Sequence, residues 1–78
     1  MAFSEHETAL LLKAKFIGPT VVRRLEEAGF GSFSVLGEAD VETVCAQVAA
    51  RLGASCWKNS PQSRQAVANA IAVAKGEA

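Results

Sequence analysis

Residues 14–25 read AKFIGPTVVRRL, and the Gly18-Pro19 step inside this stretch is the sharpest turn signal of the sequence. Glycine permits a tight turn, and proline is favoured at the first position of a helix, where its missing N–H costs nothing. The step therefore predicts that one helix ends near Lys15 and that a second helix begins at Pro19. Gly29 is expected to end this second helix as a C-terminal cap.

Cap residues mark the other helices. Ser4, with Glu7 three residues later, forms a capping-box pattern at the start of the first helix. Three further cap residues precede apolar stretches with helical spacing: Ser32, Asp40 and Ser60. The sequence thus predicts an all-α fold, a compact five-helix single domain with helices at 4–15, 19–28, 32–36, 41–52 and 61–75. Residues 54–60 are expected to form a loop.

The apolar pattern also predicts which side chains are buried. In the second helix the inward-facing residues are expected to be Val21, Val22, Leu25 and Ala28, and the outward-facing ones Arg23, Arg24, Glu26 and Glu27. Phe30 and Phe33 are expected in the core after that helix. Cys45 falls on the apolar stripe of the fourth helix and is expected in the core as well.

Charge is balanced overall but separated along the chain. The 78 residues carry 8 basic and 8 acidic side chains. Residues 13–24 carry four bases and no acid, residues 26–42 carry five acids and no base, and residues 43–76 carry four bases and no acid. Such blocks indicate a surface with opposite poles. The alternative is that folding brings the blocks together.

Several function classes have no support in the residue pattern. The candidate metal ligands are few, because the chain has two cysteines, Cys45 and Cys56, and one histidine, His6. No phosphate loop, nucleophile elbow or catalytic constellation is recognisable, so no catalytic residue is assigned and the protein is predicted not to be an enzyme. With no signal-peptide pattern and no apolar run of about 20 residues, we expect a cytoplasmic protein without a membrane segment.

The stretch at 14–25 resembles the helix-hairpin-helix family, whose pattern is h-x-G-h-G-x-x-x-A-x-x-h with h apolar. Ala14, Ile17, Gly18 and Leu25 match its first h, second h, second glycine and last h. The helical layout is similar to small stand-alone domains of this superfamily, which has a SAM-like fold. The C-terminal domain of the competence regulator TfoX and the small pathogenicity-locus proteins are examples.

The resemblance implies DNA binding without reading of base sequence. In this family the second helix points its free backbone N–H groups at a DNA phosphate, and a monovalent cation on hairpin carbonyls often assists. The residues of this chain that the resemblance places at such a site are Lys15, Ile17, Gly18, Thr20, Arg23 and Arg24. No other cofactor is implied.

Three positions depart from the family pattern. Phe16 stands where the first hairpin glycine belongs, Val22 replaces the small alanine, and Pro19 removes one N–H from the anion site. The Gly18-Pro19 step is therefore also explained as a plain helix start. The two neighbouring arginines are also explained as partners of surface ion pairs, such as Arg23 with Glu27 at i,i+4.

Two alternatives accompany the DNA-binding hypothesis. A candidate second surface consists of Trp57, Lys58 and Arg64, where an aromatic ring beside basic side chains would stack on a nucleobase. The alternative is that the tryptophan closes the core. The same fold also serves as a protein-interaction or homodimerisation module. In that case an alanine-rich helical face or the acidic segment 26–42 would bind an unknown protein partner or a second copy of the chain.

Overall fold

The structure is a computed structural model that describes residues 2–53 and 56–76, and the regular elements in these ranges are all helices. The helices are α1 (Glu5–Leu12), α2 (Pro19–Glu27), α3 (Phe33–Leu36), α4 (Val41–Leu52), α5 (Cys56–Asn59) and α6 (Pro61–Lys75). The all-α prediction is confirmed, and each of the five predicted helices has its counterpart. The one-turn α5 lies in a segment predicted as a loop. It packs against α4 and α6, so tertiary contacts rather than a local signal account for it.

The predicted cap residues begin their helices. The side-chain oxygens of the four N-caps accept hydrogen bonds from backbone amides three residues later: Ser4 from Glu7, Ser32 from Val35, Asp40 from Thr43 and Ser60 from Ser63. Each of these bonds satisfies one of the amides that a helix start leaves without an intrahelical acceptor. The helix starts were predictable because each depends on residues only three positions apart.

The end of α1 differs from the prediction. The helix ends at Leu12, with Lys13 as its C-cap, and not near Lys15. Residues 13–18 form the linker to α2. It is called the hairpin linker below, after the motif that the sequence predicts at this place. Phe16 has a left-handed backbone conformation with φ of 69°. A right-handed helix cannot continue through that conformation, so α1 and α2 cannot form one continuous helix across the linker.

The end of α2 agrees with the prediction. The amide of Phe30 donates to the carbonyl of Leu25 at 2.9 Å, and the amide of Gly29 donates to that of Glu26 at 3.1 Å. This pair of bonds is a Schellman motif, which needs a left-handed residue after the C-cap. Gly29 has φ of 95° and meets that need without a Cβ clash.

The core lies around α6, which packs against α1, α3, α4 and α5. Among the residues whose burial the structure describes, fourteen apolar side chains are buried: Phe3, Leu11, Ile17, Val22, Leu25, Phe30, Leu36, Val44, Cys45, Val48, Ala66, Val67, Ala70 and Ile71. Burial of Phe30 and Cys45 was predicted, while Phe33 is only partly buried and meets Phe3 edge-on at 6.0 Å between ring centres. The radius of gyration of 10.9 Å is close to the value of about 11.5 Å expected for a compact domain of this length.

Glu26 was predicted to face outward, but its carboxylate serves the fold. Its Oε2 accepts a hydrogen bond of 3.0 Å from the backbone amide of Phe3. The bond holds the segment before α1 against α2, and Phe3 is 7% exposed as a result. The apolar pattern of α2 did not show this, because the partner lies 23 residues away in the chain.

Glu7 joins α1 to α3 through its two carboxylate oxygens. Oε1 accepts from the amide of Ser4 at 3.0 Å, which completes the capping box, and Oε2 accepts from the amide of Phe33 at 3.1 Å. The hydrogen bonds from Ser4 and Phe33 lower the pKa of Glu7 below its ordinary value of 4.5. A carboxyl with a lowered pKa in the folded state adds stability above its ordinary pKa and loses it as pH falls through the lowered one.

We expect Glu7→Ala to lower the free energy of unfolding by about 1–2 kcal/mol at neutral pH, since two amides lose their acceptor. Thermal denaturation followed by circular dichroism measures the change. Glu5→Ala is the matched control, because Glu5 also lies in the first turn of α1 and is exposed. The difference between wild type and Glu7→Ala should shrink as pH falls through the lowered pKa of Glu7, where the carboxylate becomes protonated. An equal loss in both variants at every pH would contradict this role for Glu7.

Candidate functional site

The hairpin linker leaves the start of α2 without a side-chain cap. Gly18 is the N-cap, with extended φ and ψ of −118° and −177°, and no side chain accepts the first-turn amides. Pro19 has no N–H, and the amide of Val22 already donates to the Gly18 carbonyl at 3.2 Å. The N–H groups of Thr20 and Val21 therefore face the end of the helix without a capping side chain. Such amides, at the positive end of the helix dipole, suit an anionic oxygen.

A shallow depression of about 160 Å³ lies at this helix start, lined by Pro19, Thr20, Arg23 and Arg24. Three of the site residues implied by the family resemblance, Thr20 and the two arginines, thus meet at one place. Arg24 donates from Nη1 to Glu27 Oε1 at 2.9 Å, so the i,i+4 pair expected between Arg23 and Glu27 is replaced by an i,i+3 pair from the next arginine. Arg23 is exposed and forms no ion pair with any residue that the structure describes.

The three remaining implied site residues lie in the hairpin linker: Gly18 is the N-cap of α2, and Ile17 and Lys15 differ in exposure. Ile17 is 6% exposed and its side chain belongs to the core, so a ligand at the surface could contact only its backbone. Lys15 is exposed, and its ammonium lies 5.3 Å from the centre of the Phe16 ring. That distance falls within the range of a cation–π contact.

Phe16 forms one wall of an open pocket of about 430 Å³. The other lining residues are Ala14, Lys15, Gln65 and Asn69. The Asn69 side chain donates from Nδ2 to the Lys15 carbonyl at 2.8 Å, and Gln65 donates from Nε2 to Asn69 Oδ1 at 3.0 Å. Sequence reasoning missed Gln65 and Asn69, because no local pattern relates them to a linker 54 residues earlier.

The left-handed conformation of Phe16 predicts an unusual order of stability. Phe16→Gly and Phe16→Ala both remove the ring, but only glycine takes φ of 69° without crowding of a Cβ atom. We expect the glycine variant to be more stable than the alanine variant by about 1 kcal/mol, measured by urea denaturation. Ala50→Gly, at an exposed site within α4, is the control and should lose about 1 kcal/mol. An alanine variant as stable as the glycine variant would show that Phe16 is unstrained.

The candidate second surface is occupied by structural contacts where the structure describes it. Trp57 is partly buried and packs against the core. Arg64 forms an ion pair with Glu42. The side chains of Lys58 and Cys56 lie outside the described residues. Trp57 and Arg64 are therefore engaged within the fold.

The charge blocks meet in the folded chain. Two acids of segment 26–42, Glu27 and Glu42, pair with Arg24 of the first basic block and Arg64 of the second. Among the described residues, the exposed bases Lys13, Lys15 and Arg23 form no ion pair with an acid. The excess positive charge of the first basic block therefore lies around the hairpin linker and the start of α2.

Residues with chemical reactivity are dispersed in the described parts of the chain. No group of three or more His, Cys, Asp or Glu side chains that would hold a metal ion occurs there. Cys45 is fully buried, and burial raises the pKa of its thiol. Residues 2–53 and 56–76 also contain no helix with the length and apolar character needed to span a bilayer.

Two local features characterise the candidate site. The helix start after the glycine-proline step has no side-chain cap, and a left-handed residue lies two positions before that glycine. No protein-family model, curated protein or solved structure matches the chain.

Proposed function

We propose that this chain is a binding module of the helix-hairpin-helix type, without catalytic activity, that holds the phosphate backbone of DNA independently of base sequence. The observation that carries the proposal is the depression at the start of α2. There Arg23, exposed and without an ion pair among the described residues, meets a helix start that no side chain caps. Positive charge and unsatisfied amides at one place suit a phosphate group.

In the proposed contact, backbone amides and basic side chains have different roles. The N–H groups of Thr20 and Val21 donate to phosphate oxygens, and the Thr20 hydroxyl adds a third donor. Arg23 and Lys15 add electrostatic attraction that does not depend on sequence. Arg24 contributes less, because Glu27 already neutralises part of its charge. Contacts of this kind position a backbone and do not distinguish bases.

The conformation of Phe16 supports the hairpin assignment. The family pattern has its first glycine at this position, and glycine is the residue that enters the left-handed region most easily. Phe16 takes that conformation with φ of 69°, although a side chain makes it unfavourable. A hairpin of the family type therefore explains why the backbone turns here.

Most backbone carbonyls of residues 14–18 are engaged in hydrogen bonds. The carbonyls of Ala14, Lys15 and Gly18 accept from Ile17, Asn69 and Val22. Within residues 14–18 this leaves two carbonyls without a hydrogen bond from a described residue. We assign no cation to the proposed function.

The test is titration of fluorescently labelled duplex DNA, followed by anisotropy at two salt concentrations. We expect Arg23→Ala combined with Arg24→Ala to weaken binding by about tenfold at low salt and to flatten the salt dependence by one to two phosphate contacts. Arg51→Ala combined with Lys75→Ala is the matched control. It removes the same charge from exposed ends of α4 and α6 and should weaken binding much less.

Two results would contradict the proposal. One is an equal loss of affinity in both double variants, which would mean that net charge alone attracts the DNA. The other is a dissociation constant of wild type above about 1 mM at low salt, since non-specific binding commonly falls between about 10⁻⁴ and 10⁻⁶ M.

Self-association is a second candidate function, favoured by exposed apolar side chains. Leu12, Phe16 and Val35 are 43%, 44% and 38% exposed. Where such side chains form one contiguous patch, they mark a protein contact. Sedimentation equilibrium over a range of protein concentrations tests this candidate, and a monomer at every concentration would exclude it.

A further inference from the structure

We propose that the open pocket beside the hairpin linker receives an unpaired nucleobase, so that the chain prefers single-stranded or locally unpaired DNA to continuous duplex. This inference rests on the proposed function and names the substrate class of that site. The pocket is lined by Ala14, Lys15, Phe16, Gln65 and Asn69. The volume of about 430 Å³ falls within the range of small-molecule sites.

The Phe16 ring provides the stacking surface. It is 44% exposed, although a ring of this size is usually withdrawn from water, and its backbone is held in an unfavourable conformation. Residues kept in such conformations cluster at ligand sites, where the surrounding structure holds them. The bond from Asn69 to the Lys15 carbonyl fixes the backbone next to the ring. An aromatic ring presented in this way stacks on any base, because every base has a π face.

The polar groups of the pocket suit the other parts of a nucleotide. The Lys15 ammonium lies over the ring at 5.3 Å from its centre, so a base that takes this face displaces the exposed Lys15 side chain, whose ammonium then meets the phosphate of the same nucleotide. Gln65 gives one N–H to Asn69 and keeps its carbonyl oxygen and second N–H available within the described residues. A carboxamide with one donor and one acceptor matches the edge of a base.

The ring also explains why continuous duplex should be the weaker ligand. In the family pattern the position of Phe16 is a glycine, which lets a duplex backbone come close to the linker. A phenyl ring at that position occupies this space. A strand whose bases are free can instead turn one base onto the ring, while its phosphates reach the start of α2. Paired bases inside a duplex cannot do so without unstacking.

The experiment compares three labelled ligands of equal length: a single strand, the same strand with abasic sites, and the duplex. Abasic sites keep the phosphates and remove the bases. We expect wild type to bind the single strand more tightly than the duplex, and abasic sites to cost about tenfold in affinity. Phe16→Gly should lose about tenfold on the single strand, considerably less on the duplex, and should be insensitive to abasic sites. Phe16→Trp should retain the preference of wild type, since indole also stacks.

The outcomes separate this inference from the proposed function. If duplex and single strand bind equally, or if abasic sites weaken wild type and Phe16→Gly to the same extent, the base pocket is excluded while phosphate binding stands. If Phe16→Gly loses as much affinity for duplex as for single strand, the ring contacts the backbone and the inference is wrong. If no DNA binds at low salt, both proposals fall.

Discussion

Gly18→Asp is expected to weaken DNA binding by at least about tenfold at low salt while leaving the protein as stable as wild type or slightly more stable. Aspartate is a preferred N-cap residue, and its carboxylate would accept the amide of Thr20 or Val21 and oppose the helix dipole. Gly18 has extended dihedral angles, and a Cβ atom placed there meets nothing within 4 Å. The substitution therefore fills the proposed phosphate site from within and adds a like charge.

Three measurements make this prediction specific. Thermal denaturation should show a midpoint equal to that of wild type or up to a few degrees higher, since a cap adds about 0.5 kcal/mol relative to glycine. Gln47→Glu adds the same charge at an exposed position of α4 and should change DNA affinity little. Gly18→Asn caps the helix without a charge and should lose part of the affinity. If the Gly18→Asp protein is stable and binds DNA as tightly as wild type, the start of α2 does not contact the DNA.

Leu25→Ala is expected to have the largest effect on stability, a loss of about 2–5 kcal/mol. Leu25 is fully buried and occupies the last apolar position of the stretch at 14–25. Its carbonyl also accepts the amide of Phe30 in the turn that ends α2. In a domain of this size each kcal/mol shifts the thermal midpoint by about 4–8 °C, so the midpoint should fall by at least about 10 °C.

Leu12→Ala is the matched control, because it removes the same atoms from a side chain that is 43% exposed. Its loss should stay below about 1 kcal/mol, as is usual for partly exposed positions. Chemical denaturation of both variants gives the comparison. Equal losses would mean that the buried surface around α2 does not hold the fold together.

The sequence was informative wherever the determining contacts are local. Ser4, Ser32, Asp40 and Ser60 begin helices because their side chains bond to amides three residues later. Gly29 ends α2 because the turn needs a positive φ. These patterns recur in many chains, since the physics involves a single turn of backbone.

The errors occurred where distant residues decide the outcome. The end of α1 was placed three residues late, and the linker that follows it contains a left-handed backbone at Phe16, a conformation that the sequence does not favour for phenylalanine. The hydrogen bond of Glu26 was not predicted, because its partner, the Phe3 amide, precedes α1; the bond leaves Glu26 half-buried. The segment at 56–59 was expected to be a loop, and its helical turn depends on packing against α4 and α6.

The candidate site was predictable in part for the same reason. Thr20 and Arg23 follow directly from the glycine-proline step, because a helix that begins at Pro19 sets their positions. The pocket beside Phe16 was not predictable, since two of its walls come from α6. Only the folded chain brings Gln65 and Asn69 next to the linker.

The hydrogen bond between Asn69 and the Lys15 carbonyl connects the linker to a residue that is synthesised much later. Residues 13–18 are synthesised long before residue 69, so a nascent chain contains α1 and α2 before it contains the side chain that bonds to the linker between them. If the proposed DNA binding depends on this linker, it is expected to appear only after α6 has been translated and has packed into the core.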